Sequence, residues 1–281
     1  TDMDLIVISD FAGLDLYFNN GQGQFTDVTD TLGRDRHLFG MSHTFGDYDL
    51  DGNLDFYVTG MGSTTARRLE GMGLGPNDKP EHNDLRSAMG YGNRMFVRRG
   101  DKFGVAAFND QIAQSGWSWG TSSFDFDNDG DEDIFVANGH ISGKSIQDYC
   151  TVFWRHDIYT DDSQDNVGRE NMFDFVMSPL QDTAISWNGY EHKVLWMNEG
   201  GARFTNVAYL LGVAFEYDAR AVVTDDLDGD GHVDLLVVEF LWETDNHTLH
   251  VYQNRLPEAG NWIGVRLREA GPGLSTIGTI V

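Results

Sequence analysis

The chain has 281 residues, of which 19 are Lys or Arg and 45 are Asp or Glu, so its formal net charge is −26. This acid excess argues against nucleic-acid partners and against docking on anionic lipid, because no basic surplus could neutralise either. Hydrophobic residues make up 40% of the chain and aromatic residues 12%, enough for a packed core. No apolar run reaches the length that a membrane-spanning helix needs, so membrane insertion is not predicted.

Short apolar segments bounded by Gly, Asn and Asp predict strands throughout the chain. In chain order they cover residues 5–8, 15–20, 25–28, 42–45, 56–58, 93–97, 103–105, 121–124, 134–136, 195–198, 204–207, 220–223 and 235–238. Two longer stretches interrupt this series, at about 61–92 and 140–191, and we interpret them as insertions. Short helices are predicted inside them, at 84–89 and near 145–159.

Three segments, 47–55, 125–133 and 226–234, align without gaps as D-x-D-x-D-G-x-x-D. Each is preceded by a predicted strand and followed by an apolar run that predicts another. The start of the chain, with Asp2 and Asp4 before the run 5–8, resembles the tail of a fourth copy. A repeated unit of this kind determines the fold, because neighbouring copies stack on one another.

The spacing of the acids fits a calcium ion, which takes six to eight hard oxygen ligands. Carboxylates at positions 1, 3 and 5 would point inward, Gly at position 6 permits the turn, position 7 offers its carbonyl, and the Asp at position 9 closes the site. Magnesium is a poorer match because it demands a tighter octahedral shell, and zinc or copper prefers His and Cys. About three Ca²⁺ sites are therefore predicted, with an incomplete fourth near Asp2 and Asp4. The predicted ligands are Asp47, Asp49, Asp51, Asn53 and Asp55; Asp125, Asp127, Asp129, Asp131 and Asp133; and Asp226, Asp228, Asp230, His232 and Asp234.

These loops are not EF-hands, which have 12 residues, end in Glu and lie between helices. Here the loop closes at the ninth residue and connects two strands, and a hairpin with a Gly-rich turn completes the unit. Four strands per repeat predict an all-β fold of β-propeller blades. The loops begin 78 and 101 residues apart, more than the usual repeat length, and the two insertions account for the excess.

The acidic loops with their strands resemble the FG-GAP (or VCBS) repeats of integrin-α-like β-propellers. Connecting phrases at 45–49, 136–140 and 217–221 resemble the cartilage acidic protein-like branch. Segments 253–254, 261–267 and 277–281 resemble the start of the ASPIC/UnbV segment that follows the repeats there. The resemblance implies propeller blades over 1–255 and the beginning of that segment over 256–281.

The resemblance further implies a calcium-stabilised module of binding, adhesion or matrix type, at an extracellular, cell-surface or periplasmic location. Its loop face would hold a protein or glycan partner, and self-assembly stays possible. Because family propellers have about seven blades, we expect the chain to be an excerpt. A smaller ring, closed by pairing of 276–281 with 5–8, is the other possibility.

The alternative function is a calcium-dependent polysaccharide lyase or hydrolase built on a propeller. We expect no enzyme, because no HExxH or G-x-S-x-G motif is present and most paired carboxylates belong to the loops. Minor signals are the tripeptide Arg99-Gly100-Asp101 at a predicted turn, the sequon at 246–248, and the lone Cys150. Trp154 and Trp187, in the long insertion, are the predicted sugar-stacking candidates.

Overall fold

The computed structural model describes residues 3–75, 80–159, 167–168, 174–175, 178, 184–257 and 259–265. Within these ranges the chain forms four antiparallel sheets, as the all-β prediction requires. The first contains β1 (Leu5–Ser9), β2 (Gly13–Asn19) and β3 (Phe25–Asp27). The second contains β4 (Gly40–Gly46), β5 (Asp55–Gly60), β6 (Arg94–Arg99) and β7 (Lys102–Val105).

The third sheet repeats the order of the second, with β8 (Ser118–Phe124), β9 (Asp133–Asn138), β10 (Val194–Asn198) and β11 (Phe204–Asn206). The fourth contains β12 (Ala219–Asp225), β13 (Asp234–Leu241) and β14 (Asn246–Tyr252). The predicted four-stranded unit is therefore complete in the second and third sheets. In the described residues the first and fourth sheets have three strands each, and the first lacks the strand that precedes the acidic loop in the complete units.

Consecutive sheets pack face to face, with β1 next to β4, β4 next to β8 and β8 next to β12. The second strands of the middle sheets, β5 and β9, are buried along their whole length because both their faces meet another sheet. Alternate residues of β9 therefore belong to different cores: Ile134 and Val136 face the second sheet, and Phe135 and Ala137 face the fourth. This double burial explains why the apolar runs after the first two acidic loops are continuous rather than alternating.

Helical segments lie in the connections. They are a 3₁₀ segment (Thr29–Arg36), α1 (Thr64–Gly71), α2 (Pro80–Met89), α3 (Asn109–Ile112), α4 (Cys150–Tyr159) and α5 (Ala208–Leu211). The helix predicted at 84–89 exists within α2, and the one near 145–159 begins only at Cys150. None of the helices in the described ranges is long and apolar enough to cross a membrane.

The insertion at 61–92 contributes side chains to a buried apolar cluster. The Ser63 hydroxyl caps α1 by accepting from the Ala66 amide at 3.2 Å, and Ala66 and Leu69 pack beside Trp117 and Trp154. This apolar cluster joins both insertions to the ends of the second and third sheets. Of the predicted C-terminal segment, 256–257 and 259–265 carry no strand, and 266–281 with its possible closing strand lies outside the described residues.

Candidate metal centres

Each acidic loop connects the first strand of a sheet to the neighbouring strand of the same sheet. Position 1 directly follows β4, β8 or β12, and position 9 is the first residue of β5, β9 or β13. All three loops therefore lie at one end of their sheets, which we call the loop end. The opposite end, where β5, β9 and β13 finish and the insertions begin, we call the insertion end.

The carboxylate at position 1 organises each loop through backbone amides. Asp125 accepts from the amides of Asp129 at 3.0 Å and Gly130 at 2.9 Å. Asp47 accepts from positions 5 and 6 of its loop at 2.9 and 2.8 Å, and Asp226 does so at 3.1 and 2.9 Å. The turn needs a left-handed residue at position 6, where φ is +84°, +97° and +86° in the three loops, and Gly adopts it without strain.

The carboxylate at position 9 joins the loop to the third strand of the sheet. Asp133 accepts from the Phe126 amide at 3.1 Å and from the Asn198 amide, at the end of β10, at 2.8 Å. The equivalent long-range bonds are Arg98 to Asp55 at 2.7 Å and Asn254 to Asp234 at 2.8 Å. Each loop therefore ties three strands together rather than two.

The fourth copy predicted at the start of the chain shows one part of this arrangement. Asp4 accepts from the Asn19 amide, at the end of β2, at 2.9 Å. This bond matches the one that position 9 makes in the complete loops. Asp2 lies outside the described residues.

Each loop contains one group of three carboxylates whose oxygens lie within 4.8 Å of one another. The first two combine positions 1, 3 and 9, whereas the third combines positions 1, 3 and 5. The groups are Asp47, Asp49 and Asp55; Asp125, Asp127 and Asp133; and Asp226, Asp228 and Asp230. Each offers oxygen ligands at one point, the donor set that Ca²⁺ prefers.

The remaining predicted ligands lie in the loops but outside these groups. Asp51 accepts from the amide and the side chain of Asn53 at 2.9 and 2.8 Å, and Asp129 accepts from Asp131 at 3.1 Å. The Nδ1 atom of His232 lies 3.4 Å from Asn128 Nδ2 of the neighbouring loop. Asp234 uses its two oxygens for backbone amides.

Burial makes four carboxylates of the first two loops costly to ionise. It raises the pKa of Asp133 to about 8, against the lowering effect of the Asn198 and Phe126 amides, and raises that of Asp55 to about 6. Burial also raises the pKa of Asp131 to about 6 and, to a smaller extent, that of Asp127, with neighbouring carboxylates adding to both. A cation between these groups would offset both the cost of burying the charged carboxylates and the repulsion between them.

Three carboxylate oxygens in the first two loops lack a hydrogen-bond donor from the described part of the chain. Asp49 Oδ1, Asp127 Oδ1 and Asp131 Oδ1 are buried, and no described residue donates to them. Asp131 is only 6% exposed, and its other oxygen accepts from the Gly200 amide at 2.9 Å. Buried polar atoms normally have a partner, so these oxygens fit a bound cation.

The first loop differs from the others in having a built-in cation. Arg99 lies 2.6 Å from Asp49 Oδ2 and 3.1 Å from Asp51 Oδ2. The Arg99-Gly100-Asp101 tripeptide is indeed at the turn between β6 and β7, and its arginine faces the loop. Hydrogen bonds from Asn53, with a smaller contribution from Arg99, lower the pKa of Asp51.

The other sequence candidates are distributed differently. Trp154 is 6% exposed and Trp187 is partly buried, so both pack in the apolar cluster of the insertion end. Cys150 is also buried there, 3.5 Å from the Ser63 hydroxyl. The sequon at 246–248 lies in β14, where Asn246 pairs with Leu241.

The sequence reasoning missed a group of buried polar residues at the insertion end. The His140 ring lies 4.5 Å from Trp117 and 5.1 Å from Trp187, and burial lowers its pKa to about 3. Lys193 is fully buried and donates to the Glu191 backbone carbonyl at 3.0 Å. The only sequence signal was the occurrence of charged residues beside the apolar run 194–197.

In the comparison with family models, residues 1–58 match the model of an FG-GAP-like repeat. This match includes Asp4, the first complete acidic loop and the beginning of β5. A search of the curated proteins finds no match. The repeat family is thus supported for the first part of the chain, while the branch and the C-terminal segment stay predictions.

Proposed function

We propose that this chain is a calcium-stabilised, blade-forming binding module of an extracellular, cell-surface or periplasmic protein. The observation that carries the proposal is the common architecture of the three acidic loops. In each, carboxylate oxygens converge within 4.8 Å, and the ninth residue fastens the loop to a third strand. The FG-GAP-like match over 1–58 supports a role in binding or adhesion. The further proposal is that the four sheets are blades of a propeller.

Calcium would act on stability in this proposal, with no part in chemistry. In the second loop Asp125, Asp127 and Asp133 would hold the ion, and in the others the corresponding groups. Extracellular calcium modules bind with dissociation constants of about 10⁻⁴ to 10⁻³ M. At 1 mM Ca²⁺ and a constant of 10⁻⁴ M, each site would stabilise the folded chain by about 1.4 kcal/mol. Three sites would together contribute about 4 kcal/mol.

Thermal unfolding in calcium and in excess chelator tests this role. We expect a melting temperature higher by about 8 °C in 1 mM Ca²⁺, and a smaller effect of Mg²⁺ at the same concentration. Asp127→Asn should reduce the calcium effect, whereas Asn20→Asp, outside the loops, should leave it unchanged. An unchanged melting temperature on chelation would remove the basis for structural calcium.

We also propose that the chain has no catalytic activity of its own. Incubation with a panel of acidic polysaccharides in the presence of calcium would check it. Turnover that disappears in a variant of a buried insertion-end residue, such as His140→Ala, while the fold is retained, would replace the binding proposal with the enzymatic alternative.

A further inference from the structure

A cavity of about 520 Å³ opens at the insertion end, away from the acidic loops. Its walls come from three parts of the chain: the segment before β12, the end of β13 with the turn that follows, and the long insertion through Ser142 and Tyr190. The volume lies within the range of about 300–1,000 Å³ typical of ligand sites. None of the predicted calcium ligands lines it.

The ionisable side chains that line the cavity are all acidic, although Lys193 and Arg220 contact its aromatic residues, at 5.2 Å from the Tyr217 centroid and 5.7 Å from that of Phe240. Glu216, Asp218, Glu239 and Glu243 line it, and no Lys, Arg or His does so among the described residues. Asp218 is already satisfied, because the amide and hydroxyl of Ser142 donate to it at 2.6 and 2.9 Å. Glu239 lies 2.8 Å from His250 Nε2, and Glu216 lies 3.3 Å from His192 Nε2. Glu243 has no ion pair within the described part of the chain.

Aromatic rings form the other part of the wall: Tyr190, Tyr217, Phe240 and Trp242. Trp242 is 38% exposed although its indole is held in place, by donation from Nε1 to the His140 carbonyl and by an edge contact with Phe240 at 4.7 Å. Tyr217 is stacked on His250 at 4.3 Å. Fixed rings lose little conformational entropy on binding, and their faces attract cations.

The backbone around Tyr190 is shaped to bring its ring to the cavity. Tyr190 has a φ of +57°, a costly conformation for a bulky residue, and its amide approaches the Ser142 hydroxyl at 2.8 Å. A Cβ on the preceding Gly189 would lie 2.4 Å from the Ile141 carbonyl oxygen. The turn therefore packs tightly against residues 141–142, and the Tyr190 side chain reaches the cavity from this fixed position.

We propose that this cavity binds the cationic side chain of a lysine or arginine on a partner protein. Carboxylates beside fixed aromatic rings suit an ammonium or guanidinium group, which would give Glu243 the counter-charge that a neutral sugar cannot supply. The overall charge of −26 would also draw a basic segment towards the chain. This inference specifies the partner of the proposed binding module but does not depend on calcium.

Titration of the full chain with small probes tests the site directly. The probes are N-acetyl-arginine amide and N-acetyl-lysine amide, with N-acetyl-citrulline amide as the neutral isostere of arginine and cellobiose as a neutral sugar. Binding is followed by calorimetry in calcium-containing buffer. We expect the two cations to bind at least five-fold more tightly than citrulline or cellobiose, with an affinity that falls as salt is added.

Two variants locate the binding in this cavity. Glu243→Gln removes one wall carboxylate and should weaken arginine binding by about five-fold. Trp242→Phe should also weaken arginine binding, because it replaces the indole with a smaller ring. Glu81→Gln on α2 and Trp262→Phe, both exposed and outside the cavity, are the matched controls and should leave the affinity unchanged.

Equal binding of citrulline and arginine, tighter binding of cellobiose, or an unchanged affinity in Glu243→Gln would each overturn the proposal. Because the site is read out by probe binding, its failure is distinguishable from failure of the calcium role, which is read out by thermal unfolding in chelator.

Discussion

Glu191 provides a quantitative test of the buried polar group at the insertion end. Its Oε2 accepts from the Trp117 amide at 2.6 Å and its Oε1 from Asn188 Nδ2 at 2.8 Å. A Cβ on Gly116 would lie 2.5 Å from Oε2, so backbone closes over the carboxylate. Burial raises the pKa of Glu191 to about 7, more than the hydrogen bonds from Asn188 and Trp117 lower it.

This shift makes the stability of the fold depend on pH. The folded-state pKa of about 7 is above the unfolded value of 4.5, so the contribution of Glu191 is fully present below pH 4.5 and is lost as the pH rises through 7. Between pH 5 and pH 7.5 the expected loss is about 2 kcal/mol of unfolding free energy. Lys193, whose pKa burial lowers to about 8, limits the useful window at its upper end.

The perturbation is Glu191→Gln, which keeps the shape but cannot ionise. Its amide oxygen can accept from the Trp117 amide, and its NH₂ can donate to Asn188 Oδ1, which has no partner among the described residues. Urea unfolding of both proteins at pH 5 and pH 7.5 in saturating calcium measures the effect. We expect the variant to gain about 2 kcal/mol relative to the wild type as the pH is raised.

Glu81→Gln, exposed on α2, is the control and should follow the wild type at both pH values. If the wild type and Glu191→Gln changed in parallel between pH 5 and pH 7.5, the reasoning about the enclosed carboxylate would be wrong.

Further predictions concern the core, one turn and the first acidic loop. Phe135→Ala, at a fully buried site between the third and fourth sheets, should cost about 3–5 kcal/mol in urea unfolding, whereas Phe11→Ala at a position 78% exposed should cost less than about 1 kcal/mol. Gly92→Ala should destabilise the fold by more than about 1 kcal/mol, because φ is +116° and the new Cβ would lie 2.2 Å from the Ala113 carbonyl oxygen. Gly71→Ala, in open space on α1, should be neutral or stabilising. Equal melting temperatures of the two variants would contradict this difference. Arg99→Gln should strengthen calcium binding at the first loop by up to about five-fold in calorimetry, since it removes a competing cation from Asp49 and Asp51, and weaker binding would instead identify Arg99 as a residue that orients these ligands.

The acidic loops illustrate what local sequence determines. Gly52, Gly130 and Gly231 are where the turn needs positive φ, and the first Asp of each loop reaches amides only four and five residues away. These contacts lie within a few bonds of the chain, so spacing alone predicts them. The continuous apolar runs after the loops likewise predict β5, β9 and β13, because strand burial follows from local hydrophobicity.

Contacts between distant segments required the folded chain. No local pattern indicated that Arg99 would face Asp49, or that the Asn198 amide, 65 residues away, would donate a hydrogen bond to Asp133. The cavity is a stronger case, because Ser142 and Trp242 are separated by 100 residues and meet only when the third and fourth sheets pack together. The sequence by itself determined the repeating loops and strands through short-range backbone geometry, while the packing of whole sheets decided which charges are buried, which are paired and which are exposed.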